Sequence, residues 1–182
     1  MKRKICVVIT ARPSYARIRS ALYAIQSHPN LELQLIISGS ALLTKFGSAI
    51  DFIREDGFSP DAEIYHMVDG ETLLSSAKST GLAVIELSSE LEKMKPDAVI
   101  TIADRFETLA TAIAASYLNI PVIHIQGGEV TGSIDEKVRH AVTKLSDIHL
   151  VSTQKAYERV ISMGENPSSV YITGCPSIDI AK

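Results

Sequence analysis

Six short apolar runs punctuate the chain, at Ile5–Thr10, Leu31–Ser38, Ala98–Ala103, Val122–Ile125, Ile148–Ser152 and Val170–Thr173. They are β-branched and nearly continuous rather than alternating, so each reads as a strand that must be covered on both faces. Helical periodicity fills the gaps. Ser14–His28 places Ile18, Leu22 and Ile25 on one face, and Phe106–Leu118 does the same with Leu109, Ile113 and Tyr117. Ile134–Leu145 aligns Ile134, Val138, Ala141, Val142 and Leu145, while Asp135, Arg139 and Thr143, spaced four apart, share another face. Glu71–Met94 reads as helical with a break or kink at Gly81. Strands alternating with helices predict an α/β fold, a three-layer, doubly wound parallel sheet.

A chain of 182 residues that is 46% hydrophobic can bury one sizeable core. Its 18 basic and 21 acidic side chains leave a net charge of -3, too little cationic character for binding nucleic acid. Cys6 lies in an apolar run and Cys175 in a Gly-Cys-Pro turn, with no metal-knuckle or redox spacing, so both are expected to be free thiols in a reducing cytoplasm. Met-Lys-Arg-Lys is followed only by Ile5–Ile9 before Thr10, which is no secretory segment, and no stretch has the roughly 20 apolar residues of a membrane span. The five histidines, at 28, 66, 124, 140 and 149, lack metal-site spacing, so no metal is expected. At the end of the chain, Ser177-Ile178-Asp179 could open a further helix after the turn at Gly174.

Parallel sheets bind ligands beyond the carboxyl ends of their strands, so the residues following each run are the candidates. They are Thr10-Ala11-Arg12-Pro13-Ser14, Ser38-Gly39-Ser40, Asp104-Arg105, and His124-Ile125-Gln126-Gly127-Gly128-Glu129. No G-x-G-x-x-G follows the first strand, which removes most support for a nicotinamide or flavin, and no cofactor is expected. Arg12 offers a planar charge to a phosphate or carboxylate; alternatively Ser14 only caps a helix and Arg12 is solvated. Asp104 and Glu107 fit a capping box as well as a site, and Arg105 could clamp an anion or pair with Glu107. The glycine-rich loop Gln126–Ser133 is either a turn or an anion-receptive concavity, with Glu129, Asp135 and Glu136 as acid/base candidates and Ser133–Glu136 a second capping box. His124 is read as a hydrogen-bonded core histidine more readily than as a base. No G-x-S-x-G elbow appears, and neither cysteine has an adjacent base.

Thr10-Ala11-Arg12-Pro13, Ala103-Asp104-Arg105-Phe106-Glu107 and the long stretch from His124 to Leu145 together resemble hydrolysing UDP-N-acetylglucosamine 2-epimerases. The resemblance is to the sialic-acid branch, or to the legionaminic-acid branch that acts on a diacetamido sugar. It implies two Rossmann-like domains in a GT-B arrangement, with residues 1–173 as the amino-terminal domain, 174–182 as the start of the interdomain connection, and the second domain not included. It further implies a UDP-sugar substrate, elimination of UDP followed by hydration, and a homo-oligomer formed through the amino-terminal domain. By the same resemblance Asp104, Asp135 and Glu129 are catalytic, and Arg12, Ser14, Arg105, Gln126, Gly127, Gly128, His124 and Arg139 bind substrate. Two positions depart from the family pattern: Gln126 stands where some relatives have a glutamate, and Ala41 where a histidine is frequent. Rival readings are a catalytically incomplete module that folds and dimerises, and a GT-B glycosyltransferase.

Overall fold

The computed structural model describes residues 1–70, 72–176 and 178. Seven strands form one sheet in the order β3-β2-β1-β4-β5-β6-β7: β1 (Arg3–Ile9), β2 (Leu31–Ser38), β3 (Ala62–Ile64), β4 (Ala98–Ile102), β5 (Val122–Ile125), β6 (Ile148–Val151) and β7 (Val170–Ile172). Every pairing is parallel. Six α-helices accompany them: α1 (Arg12–Ser27), α2 (Ala49–Glu55), α3 (Leu73–Met94), α4 (Phe106–Tyr117), α5 (Ile134–Lys144) and α6 (Gln154–Ser162).

The pleat of β1 shows why three layers form, because successive side chains leave a strand on opposite faces. Val7 and Ile9 enter one core with Ile18, Leu22 and Ile25 of α1 and Ile50 and Ile53 of α2. Cys6 and Val8 enter the other with Ala83, Leu87 and Leu91 of α3 and Ala110 and Ala114 of α4. The chain winds outward from β1 through β2 to β3, then crosses back by α3 to β4 on the other side of β1. The topological switch point therefore lies between β1 and β4, where crevices open at the carboxyl edge.

Several expectations change. β3 escapes the periodicity argument because it has only three residues, Ala62-Glu63-Ile64; it docks because Asp61 takes the Leu35 N–H on its carboxylate at 2.7 Å and donates its own N–H to the Leu35 carbonyl at 2.8 Å. α3 runs through Gly81 without a break, started by a reciprocal cap between Thr72 and Ser75. Glu71 lies outside the described residues, as do Ser177 and Asp179 of the expected last helix.

α4 does not bury the stripe Leu109, Ile113 and Tyr117. It turns Glu107, Ala110, Thr111 and Ala114 inward, and leaves Tyr117 exposed. Small side chains let this helix lie close to the sheet between α3 and α5, with no room beneath for bulkier ones. In α5, Val138 and Val142 are buried as expected, but Ile134 is exposed and the polar row Arg139 and Thr143 faces inward. Among the described residues no helix is long and apolar enough to cross a membrane.

Leu87 is fully buried between α3 and the sheet. Leu87→Ala is expected to lower unfolding free energy by about 2–5 kcal/mol, read from the urea midpoint at constant slope.

Candidate functional site

β4 and β5 are each followed by a non-glycine residue forced into the left-handed region, Ala103 at φ +69 and Gln126 at φ +66. Such conformations cost on the order of 1–3 kcal/mol and persist only when their surroundings over-determine them. Here the Ala103 N–H donates to the Ile125 carbonyl at 3.1 Å and the Gln126 N–H to the Leu150 carbonyl at 2.9 Å, tying each bend to the next strand. His124 Nε2 meets the Ala103 carbonyl at 3.1 Å. A carbonyl only accepts, so Nε2 carries the ring proton. The Thr143 hydroxyl lies 3.3 Å from Nδ1 and also reaches the Arg139 carbonyl.

His124 is thus wholly buried beneath the bend and engaged at both ring nitrogens, with no exposed atom to offer a ligand. It packs against the backbone that shapes the mouth. Burial moves its pKa down to about 4.

The bends aim Asp104 and Gln126 outward. Asp104 does not cap α4, whose N-cap is Arg105 with no side-chain bond. Its carboxylate pairs instead with Arg139 of α5, whose other guanidinium nitrogen donates to the Glu129 carbonyl at 2.7 Å. A charge-assisted bond to a guanidinium outcompetes a capping bond to a backbone amide. Arg139 is 6% exposed and Asp104 17%, so the arginine works from below and presents the carboxylate.

At the neighbouring position the arrangement is inverted. Glu107 is fully buried, and Arg105 grips it with Nε at 3.2 Å and Nη2 at 3.3 Å. Burial pushes the Glu107 carboxyl up, and the Arg105 charge opposes that shift.

A cavity of about 430 Å³ opens over these bends, lined by Arg17, Gln126, Glu129, Arg139, Ser152 and Cys175 among others. Arg17 Nη1 reaches Gln126 Oε1 at 3.5 Å, and Gln126 Nε2 reaches Cys175 Sγ at 3.4 Å. Arg17 was not singled out from the sequence. The available signal was its place in the second turn of a helix that begins at a strand's carboxyl end.

Arg12 takes another direction. It is exposed, stacks its guanidinium 4.7 Å from the Phe52 ring, and lines a separate groove with Tyr15, Arg19, Tyr23 and Asp56. Ser14 is buried and caps nothing; Ala11 is the N-cap, and Pro13 sits in the first turn. The glycines meet a demand of the protein's own packing. A Cβ on Gly128, at φ +77, would lie 2.4 Å from the Ala156 carbonyl of α6, and one on Gly127 would lie 3.0 Å from His124 Nδ1.

Asp135 sits half-buried in the first turn of α5, its N–H on the Ser133 hydroxyl at 3.2 Å. Glu136 accepts from the Thr131 and Gly132 amides at 2.9 and 2.7 Å, a cap displaced from the expected box. Ala41 is fully buried and brings no side chain to the mouth. The structure therefore gathers Gln126, Glu129 and Arg139 around one cavity, with Asp104 tied to Arg139; Arg105 lines a second cavity with Lys45, Ser75, Ser79 and Phe106, and Arg12 and Ser14 lie outside both. Among the described residues no cluster of His, Cys, Asp or Glu could hold a metal ion.

The sequence profile of UDP-N-acetylglucosamine 2-epimerase matches residues 23–182. The chain is 36% identical to a UDP-N,N'-diacetylbacillosamine 2-epimerase (hydrolyzing) of Legionella pneumophila, over 98% of this chain and 48% of that protein. It is 34% identical to a GDP/UDP-N,N'-diacetylbacillosamine 2-epimerase (hydrolyzing) of Campylobacter jejuni, over 100% of this chain and 47% of that one. In three dimensions it matches the crystal structure of UDP-GlcNAc 2-epimerase from Neisseria meningitidis bound to UDP-GlcNAc with a TM-score of 0.85 at 23% identity, covering 97% of this chain and 48% of that one. The fold is the Rossmann-like half of a GT-B arrangement, and the chain spans about half the length of the relatives it matches.

An unfolded histidine takes up its proton near pH 6.5, whereas folded His124 resists until about pH 4. Between those values the unfolded state binds more protons, so the contribution of His124 is fully present above pH 6.5 and is lost as pH falls towards 4. The loss is on the order of 3 kcal/mol for this one group. His66 and His149, also depressed by burial, act in the same direction. Urea midpoints measured from pH 7.5 downward should fall across this window, and His124→Gln should flatten the slope; an unchanged slope in the variant counts against the assignment.

Proposed function

We propose that this chain, which belongs to the UDP-N-acetylglucosamine 2-epimerase family, is the amino-terminal lobe of a hydrolysing enzyme that converts UDP-GlcNAc or a related UDP-diacetamido sugar to UDP and the free 2-epimeric sugar. The observation that carries the reading is the Asp104 carboxylate, held at the β4 exit by the buried guanidinium of Arg139 and followed in the chain by the partly exposed Arg105 guanidinium. The hydrolysing outcome is supported by two relatives of that name at 36% and 34% identity.

The chemistry accounts for such a pair. The C2 proton has no adjacent carbonyl to acidify it, so C1–O cleavage runs ahead and builds oxocarbenium character that carboxylates stabilise. UDP leaves, the proton at C2 is removed, and water adds to the resulting glycal with inverted C2 configuration. Asp104 and Asp135 act as acid/base or cation-stabilising groups. Gln126, an amide, orients the sugar, and Glu129 takes the duty of a carboxylate there. Arg105 holds a phosphate or sugar group, and so does Arg12 from its own groove.

Residues 1–173 form the amino-terminal lobe in this reading, and 174–182 start the connection to a second lobe that supplies most contacts to uridine and diphosphate. Cys6, a thiol buried in the core, suits a cytoplasmic enzyme. A homo-oligomer through this lobe is supported by exposed Leu74, Leu82 and Ile85 on α3 and Tyr117 on α4.

A positioned general acid or base is typically worth 10²–10⁴ in rate. Asp104→Asn in the full-length protein should therefore lower kcat by roughly 10²–10⁴, followed as UDP release from UDP-GlcNAc with the free sugar and any glycal identified by mass spectrometry. Near-normal turnover in a folded variant, or transfer of the sugar to an acceptor instead of water, would reject the reading.

A further inference from the structure

Glu107 is the one fully buried carboxylate among the described residues, and nothing in the elimination and hydration steps uses it. Capping does not account for it, since α4 has no side-chain cap bond. Stability is a weak explanation too, because a buried ion pair often contributes little over an apolar pair of the same shape. Its geometry has a direction. Both carboxylate oxygens are taken by one edge of Arg105, Nε at 3.2 Å and Nη2 at 3.3 Å, while the Arg105 side chain stays 43% exposed.

Behind Glu107 lies Gly39, at φ +59, where an added Cβ would come 3.4 Å from Glu107 Cγ and 2.9 Å from His66 Nε2, so glycine is what leaves the buried side chain its place next to the guanidinium. In front, Arg105 lines a cavity of about 560 Å³ with Lys45, Ser75, Ser79 and Phe106, and Glu107 does not reach it. Two of the five guanidinium N–H groups are spent on Glu107. Of the remaining three, one on each Nη forms the terminal edge, which matches a phosphate.

We propose that Glu107 is a positioning residue: it locks the Arg105 fork in the orientation that receives the diphosphate of the substrate. The assignment rests on the reading of Arg105 as a ligand contact given above. Glu107 touches no substrate and acts only through Arg105.

The test is a double-mutant cycle in the full-length protein, with UDP as the probe in calorimetry and KM and kcat for UDP-GlcNAc alongside. Arg105→Ala should weaken UDP binding about 10- to 100-fold, the range of a lost charge-assisted bond. Glu107→Gln should weaken it about tenfold and raise KM more than it lowers kcat, Glu107→Asp should recover part of the loss, and Glu107→Gln should add nothing in the Arg105→Ala background. If Glu107→Gln loses the folded state, Arg105→Lys reads the same fork, since it keeps the charge but not the geometry, and should weaken UDP comparably. An equal loss from Glu107→Gln in both backgrounds makes Glu107 merely structural and overturns the proposal. So does unaltered affinity in Glu107→Gln when Arg105→Ala binds weakly, or in Arg105→Ala itself. A wild-type protein that binds no UDP would instead sink the functional reading beneath it.

Discussion

Hydrogen-bonding seven strands in one direction sends every crossover over a face of the sheet and delivers every carboxyl end to one edge. That constraint places the ends of β1, β4 and β5 side by side, although Arg12, Asp104 and Gln126 are far apart in sequence. It also explains why nearly the whole of each strand can be apolar: the faces are spent on packing, and only the exit residues are left for polar work.

What happens at those exits is governed by opposed burial of charge. Asp104 and Arg105 are consecutive, yet each leans on a hidden partner of opposite sign, Arg139 for the one and Glu107 for the other. Such partners satisfy charges that would be expensive to hide alone. The left-handed turns at Ala103 and Gln126 belong to the same construction, since they let the chain leave the sheet abruptly enough to set both side chains on the rim. His124, neutral and buried next to His149 on the adjoining strand, fixes the underside.

Periodicity made most of this fold legible. The runs at Leu31–Ser38 and Val122–Ile125 coincide with β2 and β5, and Ile18, Leu22 and Ile25 line the inner face of α1. It failed where size mattered more than polarity. α4 is apolar on much of its circumference, so the inward side was chosen by the smallness of Ala110 and Ala114 rather than by the bulk of Leu109 and Tyr117. The candidate site was legible as a set of strand exits but not as a network. Local spacing offered Glu107 to Asp104 as a capping partner, while the fold brought Arg139 from 35 residues away. Arg17 and the diversion of Arg12 towards Phe52 depend on where a helix face points, which sequence alone leaves open.

The two hidden partners ride on different helices, Glu107 on α4 and Arg139 on α5, and those helices meet through Ala112, Val138 and Val142. The spacing of those two hidden partners is consequently tied to the thickness of that apolar seam. A methylene gained or lost there acts like a shim between two jaws, shifting Glu107 against Arg139 without altering either charged group.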